Sequence, residues 1–162
     1  MVRVKMIKYD IAQLPSDIIV NSTQEGFPGT DGVDAAIHRQ AGNGLREECE
    51  SLESPIIGQV IITKGYNTKA KFIFHVKGPM YGKDDFKKLE ECYINCLKLA
   101  EEMEMKSIAF PAISTGKGGF PLTLSAEITK RVLNKFNFNH VEEIKLALHN
   151  DKAVDFYKEV FA

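Results

Sequence analysis

The sequence predicts an α/β fold in which strands and helices form layers around one core. Strand-like and helix-like segments alternate along the chain, without a linker, a repeat or a low-complexity tract. The length of 162 residues suits one domain, and a hydrophobic content of 44% is enough for a packed core. We therefore expect a single domain over residues 1–162.

Six segments have the character of strands. The first, 2–7, alternates apolar and charged residues, which is typical of an exposed or edge strand, whereas others are short, apolar and β-branched, as in buried strands. Pro111 has no N–H, so we expect ladder pairing to fail on one side near the end of its strand. The predicted strands are 2–7, 17–20, 58–63, 72–76, 107–113 and 143–148.

Four segments are predicted as helices. The clearest is 85–103, where apolar residues recur at helical spacing and Lys and Glu fill the other face. We expect Asp84 to cap its first turn, and Pro121 to occupy the first position of the next helix, where its missing N–H costs nothing. The predicted helices are 33–41, 85–103, 121–136 and 151–161.

The charges are balanced, with 21 Lys and Arg against 22 Asp and Glu. This balance gives no long-range attraction to nucleic acid or to an acidic membrane, so neither is an expected partner. No apolar run approaches the ~20 residues of a spanning helix, and the N-terminus alternates instead of forming a signal-peptide block. We expect a cytoplasmic protein or, in a eukaryote, a nuclear one.

The three cysteines indicate a reduced compartment. Their number is odd, and no pair has CxxC spacing. Cys92 and Cys96 share one face of a predicted helix, and no His or Cys lies within sequence reach to complete a zinc site with them. We expect Cys92 and Cys96 to be a buried or half-buried pair, nothing in the sequence indicates that Cys49 is activated, and no metal is expected.

Two glycine-rich loops each follow a strand and precede a helix, at 114–121 and at 26–32. Backbone N–H groups and the positive end of a helix make such loops suitable for a phosphate, and two loops could grip a diphosphate from opposite sides. The first is not a P-loop, because the GxxxxGK[ST] spacing is absent. Alternatively, the glycines only supply the positive φ angles of tight turns.

Two aspartates follow strands near these loops. Asp34 falls in the first turn of a helix, where the helix dipole stabilises a carboxylate by up to ~1 kcal/mol, and His38 could pair with it or lie partly buried on the surface. Asp10 follows the first strand and is either a turn former or an acceptor for an exocyclic amine. The second alternative would favour adenine over guanine.

In order and spacing, these segments resemble the macro domain family over nearly the whole chain. The segments 10–11, 17–21 and 32–42 match its Gly-Asp-Ile, Asp-Ala-Ile-Val-Asn and Gly-Val-Asp-x-Ala-Ile-His-x-x-Ala-Gly signatures, although Tyr9 replaces the first glycine. Residues 108–121 match its phosphate-loop signature. The resemblance implies a three-layer α-β-α sandwich with a mixed, mostly parallel sheet. It also implies an ADP-ribose cleft, no cofactor or metal, and a monomer.

The resemblance also implies ligand-binding residues. Asp10 would accept a hydrogen bond from the adenine amine beside the Ile11 backbone, and His149 and Asn150 would flank the adenine. Phe120 would pack beside the distal ribose. The loop 114–119 and residues 32–33 would hold the diphosphate. The full predicted set is Asp10, Ile11, Asn21, Gly32, Val33, Ser114, Thr115, Gly116, Lys117, Gly118, Gly119, Phe120, His149 and Asn150.

Some members of this family hydrolyse esters at the distal ribose, in modified Asp or Glu side chains or in O-acetyl-ADP-ribose. Asp34 and Gln24 occupy the positions of the acid and the asparagine that serve this ribose. The chain departs from the family pattern twice: 21–24 reads Asn-Ser-Thr-Gln instead of Asn-Ala-Ala-Asn, and 29–32 is interrupted by Asp31, whose charge Lys117 could offset. We therefore expect either an ester hydrolase or a reader without turnover. RNA binding is disfavoured by the net charge of -1.

Overall fold

A central β-sheet organises the part of the chain that the computed structural model describes, which comprises residues 2–23 and 32–162. Six strands are present in these residues: β1 (Arg3–Lys8), β2 (Ile18–Thr23), β3 (Val60–Lys64), β4 (Phe72–Lys77), β5 (Ser107–Pro111) and β6 (Glu143–Leu148). Besides a 3-10 turn at Ile11–Gln13, the helices are α1 (Gly32–Ala41), α2 (Asn43–Glu50), α3 (Lys87–Glu102), α4 (Leu122–Lys135) and α5 (Asp151–Phe161).

The strand order is β1-β6-β5-β2-β4-β3. All neighbouring strands are parallel except β3 and β4, which are antiparallel. The sheet is therefore mixed and mostly parallel, and β1 is an edge strand, as its alternating sequence predicts. Because these parallel strands run in one direction, the carboxyl ends of β1, β2, β4, β5 and β6 lie at the same end of the sheet.

Helices cover both faces of the sheet, and each face has its own apolar core. One core joins the sheet to α3, α4 and α5, and it includes Leu97, Val132 and Tyr157. The other joins it to the 3-10 turn, α1 and α2, and it includes Ile37 and Leu45. The predicted three-layer α-β-α sandwich is confirmed. None of the helices in the described residues is long and apolar enough to cross a membrane.

Pro111 ends the pairing of β5 on one side, as predicted. β5 continues along β6 up to the pair of Pro111 with Ala147, but its pairing with β2 stops at Ala109. Since proline has no N–H to donate, the ladder towards β2 cannot continue through it. The unpaired part of β5 and β2 therefore lies at the carboxyl end of the two strands.

Three features differ from the sequence-based predictions. Helix α2 was missed, because only Leu45 and Cys49 are buried in it and two residues do not form an apolar stripe. Asp84 does not cap α3, since its carboxylate accepts the N–H of Met80 at 2.9 Å. Pro121 lies one residue before α4, as the N-cap, instead of at the first helical position.

The three cysteines are buried and free, which confirms the prediction for Cys92 and Cys96. Burial raises the pKa of the Cys92 thiol to about 12 and that of Cys96 well above its ordinary value. The thiol form, which is a poor nucleophile, therefore prevails at neutral pH.

Candidate functional site

A cleft crosses the edge of the sheet where the carboxyl ends of the parallel strands meet. It consists of two adjoining depressions of about 370 and about 470 Å³ that share Gly32, Val33 and His149. We call them the Asp10 end and the Asp34 end. The Asp10 end is further lined by 8–11, Ala36 and 147–148, and the Asp34 end by Ser22, Thr23, Asp34, Ile57, 77–80, 83–84, 111–112 and 114–118.

At the Asp10 end, the backbone is fixed and the carboxylate is exposed. The N–H of Tyr9 donates to the carbonyl of Leu148, which ties this turn to the end of β6. Asp10 Oδ1 accepts the N–H of Ala12 at 3.0 Å and so caps the 3-10 turn. Among the described residues, no donor reaches Oδ2 of Asp10. This oxygen is therefore available to a hydrogen-bond donor on a ligand.

At the Asp34 end, the loop between β5 and α4 is closed on itself. The carbonyl of Ser114 accepts the N–H of Phe120 at 2.9 Å, and Ser114 adopts a φ of 65°, in the left-handed region. A Cβ on Gly118 would lie 2.6 Å from the carbonyl oxygen of Ser114, so only glycine fits there. Within the described residues, the N–H groups of Gly116 and Gly118 have no backbone acceptor. They are therefore available to an anion.

The segment 78–81 supports this loop from outside. A Cβ on Gly78 would lie 2.2 Å from Ser114 Oγ, and the N–H of Tyr81 donates to the carbonyl of Gly118 at 2.7 Å. The Tyr81 ring packs edge-on against Phe120, with ring centroids 5.2 Å apart. Phe120 is 3% exposed and anchors the loop. Contacts with the segment 78–81 thus fix the position of the loop.

Asp34 lies in a buried polar cluster below the cleft surface, with only 4% of the residue exposed. Asn21 Nδ2 donates to its Oδ1 at 2.7 Å, and Thr23 Oγ1 donates to its Oδ2 at 3.2 Å. His38 Nε2 is 3.3 Å from Oδ1, but this contact lacks the geometry of a hydrogen bond. Both carboxylate oxygens are therefore held by donors on β2.

Two further groups adjoin this cluster. His75 on β4 is fully buried, with Asn21 Nδ2 3.1 Å from its Nδ1 and Thr63 Oγ1 2.9 Å from its Nε2. Burial lowers the pKa of His75 to about 3, so its ring is neutral at physiological pH. The pKa of Cys49 is raised to about 12 by burial and by the negative charges of Asp34 and Glu48. Cys49 is therefore not a nucleophile at this site.

Comparison with known proteins agrees with this geometry. A family model described as the macro domain matches residues 20–129. The chain belongs to the macro domain family. A macro domain-containing protein of Xanthomonas campestris is 40% identical, with 99% of this chain and 96% of the relative covered. A relative from Escherichia fergusonii with the name O-acetyl-ADP-ribose deacetylase is 36% identical, with 98% and 94% covered.

Solved macro domains have the same fold. A variant of the Oceanobacillus iheyensis macrodomain with ADPR superimposes with a TM-score of 0.91 at 32% identity, with 96% of this chain and 89% of that chain covered. The Trypanosoma brucei macrodomain in complex with ADP-ribose superimposes with a TM-score of 0.89 at 29% identity, with 98% and 69% covered. The recognised resemblance and its implied fold are thereby confirmed.

Most predicted site residues of this macro domain line the cleft. Four of those that the structure describes do not: Asn21 is fully buried beneath it, Phe120 is covered by Tyr81, and Gly119 and Asn150 line neither depression. Asn150 is the N-cap of α5, where its Oδ1 accepts the N–H of Ala153 at 2.8 Å. Gln24 lies outside the described residues, as does Asp31. The predicted residues that line the cleft are Asp10, Ile11, Gly32, Val33, Asp34, Ser114, Thr115, Gly116, Lys117, Gly118 and His149.

Sequence reasoning missed the segment 77–84 as part of the cleft. Lys77, Met80, Lys83 and Asp84 line the Asp34 end, although none was predicted there. The available signal was Gly78-Pro79 just after the predicted strand 72–76, but this pair carries no chemistry of its own. Sequence reasoning likewise assigned no role to the buried His75.

Proposed function

We propose that this macro domain binds ADP-ribose along the cleft, with adenine at the Asp10 end and the distal ribose at the Asp34 end. The observation that carries the proposal is the continuity of the two ends through Gly32, Val33 and His149. This arrangement offers a carboxylate for a base and, farther along, a closed glycine loop for phosphates. Solved relatives at about one third identity hold ADPR or ADP, which supports the same choice of ligand.

The diphosphate would lie between the start of α1 and the loop 114–118. The N-terminus of α1 carries a partial positive charge, and the loop offers N–H groups to the oxygens of a phosphate. Lys77, Lys83 and Lys117 line the same end of the cleft. Their charges favour a dianionic ligand although the whole chain is nearly neutral.

The adenine amine would donate to Asp10 Oδ2. A guanine presents a carbonyl oxygen at the corresponding position, and two acceptors would then face each other. The base preference therefore follows from the free carboxylate oxygen at this end.

Calorimetric titration tests this binding mode. We expect ADP-ribose to bind the wild-type protein, and its guanine counterpart to bind at least about tenfold more weakly, because a charged hydrogen bond contributes about 1.5–3 kcal/mol. Absence of binding by ADP-ribose at millimolar concentration would refute the proposal. Equal affinity for both nucleotides would refute only the placement of the base.

We further propose that the bound ligand is an ester at the distal ribose, and that the protein hydrolyses it. Water would attack the acyl carbon while Asp34 takes a proton from the water. The bond between the acyl carbon and the ribose oxygen would then break, and the ribose oxygen would take the proton from Asp34, which restores the carboxylate. The products are ADP-ribose and a free carboxylic acid. An ester is already activated, so an oriented water and a fixed carboxylate are sufficient.

Two observations favour the alternative of a reader without turnover. Both oxygens of Asp34 already accept hydrogen bonds, and the residue is 4% exposed, so access for a water is narrow. In addition, Gln24 replaces the asparagine of the hydrolase pattern. Relatives with the name O-acetyl-ADP-ribose deacetylase support the hydrolase at 36% identity.

A time course of ADP-ribose release separates the two functions. The substrates are a glutamate-linked mono-ADP-ribosylated protein and O-acetyl-ADP-ribose, each with the wild type and Asp34→Ala. For a hydrolase, the wild type turns over many times and the variant is about 10²–10⁴-fold slower, as expected for loss of a general base. ADP-ribose affinity of the variant serves as the control for its fold. Binding without release by the wild type identifies a reader.

A further inference from the structure

A series of buried, hydrogen-bonded side chains crosses three strands of the sheet and ends at Asp34. It begins at Thr63 on β3, continues through His75 on β4 and Asn21 on β2, and ends at the Asp34 carboxylate on α1. Thr63 Oγ1 is 2.9 Å from His75 Nε2, and Asn21 Nδ2 is 3.1 Å from His75 Nδ1 and 2.7 Å from Asp34 Oδ1. We infer that these groups form a hydrogen-bond relay with one direction, and that Thr63, His75 and Asn21 are positioning residues for Asp34. The role in turnover rests on the proposed hydrolysis.

The direction of the relay follows from the number of hydrogens that each group has. Thr63 Oγ1 donates its single hydrogen to the carbonyl of Lys64 at 3.2 Å. It must therefore accept the Nε2–H of His75. His75 then has a lone pair on Nδ1, which accepts one hydrogen of Asn21 Nδ2. The second hydrogen of the same amide goes to Asp34 Oδ1.

The other tautomer of His75, with the proton on Nδ1, is excluded by the contacts of the ring. If His75 carried its proton on Nδ1, that proton would face the amide hydrogens of Asn21. Rotating the amide would relieve this conflict, but it would place Asn21 Oδ1 2.7 Å from a carboxylate oxygen of Asp34. Only the Nε2–H tautomer with the present amide orientation gives each of these three contacts a donor and an acceptor.

Burial makes the relay rigid. Asn21 and His75 are fully buried and Thr63 is 2% exposed, so water cannot replace a lost member at low cost. The relay also connects three adjacent strands to α1, which fixes the carboxylate from the sheet side. Displacement of a catalytic group by about 1 Å lowers rates by about 100-fold, so this support matters for turnover even though no relay member touches the substrate.

Thr63→Val tests the relay with a nearly isosteric change. It removes the acceptor of His75 Nε2–H and leaves Asn21 and Asp34 in place. Thr129→Val is the matched control, because Thr129 is equally buried but donates to the Ser125 carbonyl, in α4. We expect Thr63→Val to lower kcat by about 10- to 100-fold with KM unchanged, and Thr129→Val to leave kcat unchanged.

His75 itself provides a second comparison. His75→Asn retains an acceptor towards Asn21, whereas His75→Leu removes it. We expect the kcat of His75→Asn to exceed that of His75→Leu. Equal losses of kcat in Thr63→Val and Thr129→Val, or no advantage of His75→Asn, would overturn the positioning role.

Nitrogen-15 NMR of the histidine rings tests the relay without any turnover. In the wild type we expect His75 to carry its proton on Nε2 from pH 5 to 8, and its ring resonances to shift in Thr63→Val but not in Thr129→Val. A protonated Nδ1 overturns the relay. If the wild type binds ADP-ribose but hydrolyses no ester, the hydrolysis proposal fails, and the tautomer still decides whether the relay exists.

Discussion

The two ends of the cleft each hold an aspartate, but in opposite surroundings. Asp10 is exposed, and the contact that holds it is local, with the N–H of Ala12 two residues later. Asp34 is buried, and its carboxylate accepts from donors on β2, of which Asn21 in turn contacts His75 on β4, the neighbour of Thr63 on β3. The first carboxylate can exchange its partners at low cost, whereas the second is part of the core.

In our proposal, the exposed Asp10 therefore contributes to ligand affinity, and the buried Asp34 takes part in the reaction. An exposed acceptor suits recognition of a base, because the ligand can replace water on it. A carboxylate that is fixed from several sides suits a reacting group, because its position does not change when substrate binds. Substitutions at the two ends should therefore have different effects on stability and on ligand affinity.

The largest expected effect is at the loop that lies between a bound base and the distal ribose. In Gly118→Ala, the new Cβ would meet the carbonyl oxygen of Ser114 at 2.6 Å, and neither backbone can move without losing the bonds to Phe120 and Tyr81. We expect a loss of ADP-ribose affinity of about 100-fold, measured by calorimetry, since two charge-assisted bonds are displaced.

Gly116→Ala is the control in the same loop. A Cβ there has no neighbour within 4 Å among the described residues, and Gly116 has no positive φ. The free energy of unfolding of Gly116→Ala, measured by urea denaturation, should stay within about 0.5 kcal/mol of the wild-type value. Wild-type affinity of Gly118→Ala would show that the loop does not hold the ligand.

The next effect is a dependence of stability on pH, and it involves only the Asp34 end. The pKa of His75 is about 3 in the folded protein, mainly because of burial, against an ordinary value of 6.5. Between these values the unfolded chain binds a proton that the folded protein does not, so stability falls as pH falls. The slope is about 1.4 kcal/mol per pH unit, which gives a loss of about 2 kcal/mol between pH 7 and pH 5.

Urea denaturation at a series of pH values measures this contribution. His75→Asn has no imidazole, so its stability should depend less steeply on pH over the same range. Asp34, whose charge opposes the lowering of the pKa, and His38, whose charge adds to it, remain in both proteins. Parallel curves for the wild type and the variant would contradict the neutral, buried state of His75.

The Asp10 end should respond in affinity instead of stability. Asp10→Ala removes the acceptor for the adenine amine, and we expect ADP-ribose to bind about 1.5–3 kcal/mol more weakly in calorimetry. Loss of the cap on the 3-10 turn should cost at most about 1 kcal/mol of stability. Asp155→Ala, an exposed acid on α5 that lines neither end, is the control. Unchanged affinity in Asp10→Ala would displace adenine from this end.

The sequence predicts the layers and the loops of this protein, but not its buried cluster. Strand β6 begins and ends where its sequence predicts, and the glycine loop at 114–121 is evident in the sequence because its chemistry lies in consecutive residues. The cluster depends on contacts across the sheet, such as that of Asn21 with His75, which is 54 residues away. The spacing of polar residues in one strand does not reveal which strand will be its neighbour.

The smallest expected effect tests the feature in which the Asp10 end departs from its family. Tyr9 occupies the position of the family's glycine, lines this end and is 48% exposed. We expect its ring to contact the base, so Tyr9→Gly should weaken ADP-ribose binding by about fivefold in calorimetry, the lower end of what one stacked base contributes.

Tyr9→Phe retains the ring and should bind like the wild type, which distinguishes ring contact from a role of the hydroxyl. Unchanged or tighter binding by Tyr9→Gly would mean that the ring lies away from the ligand. Asp10 would then carry recognition of the base by itself. The difference between the two ends would then be larger, because one exposed carboxylate would account for the affinity at the Asp10 end, whereas Asp34 is held by contacts in the core.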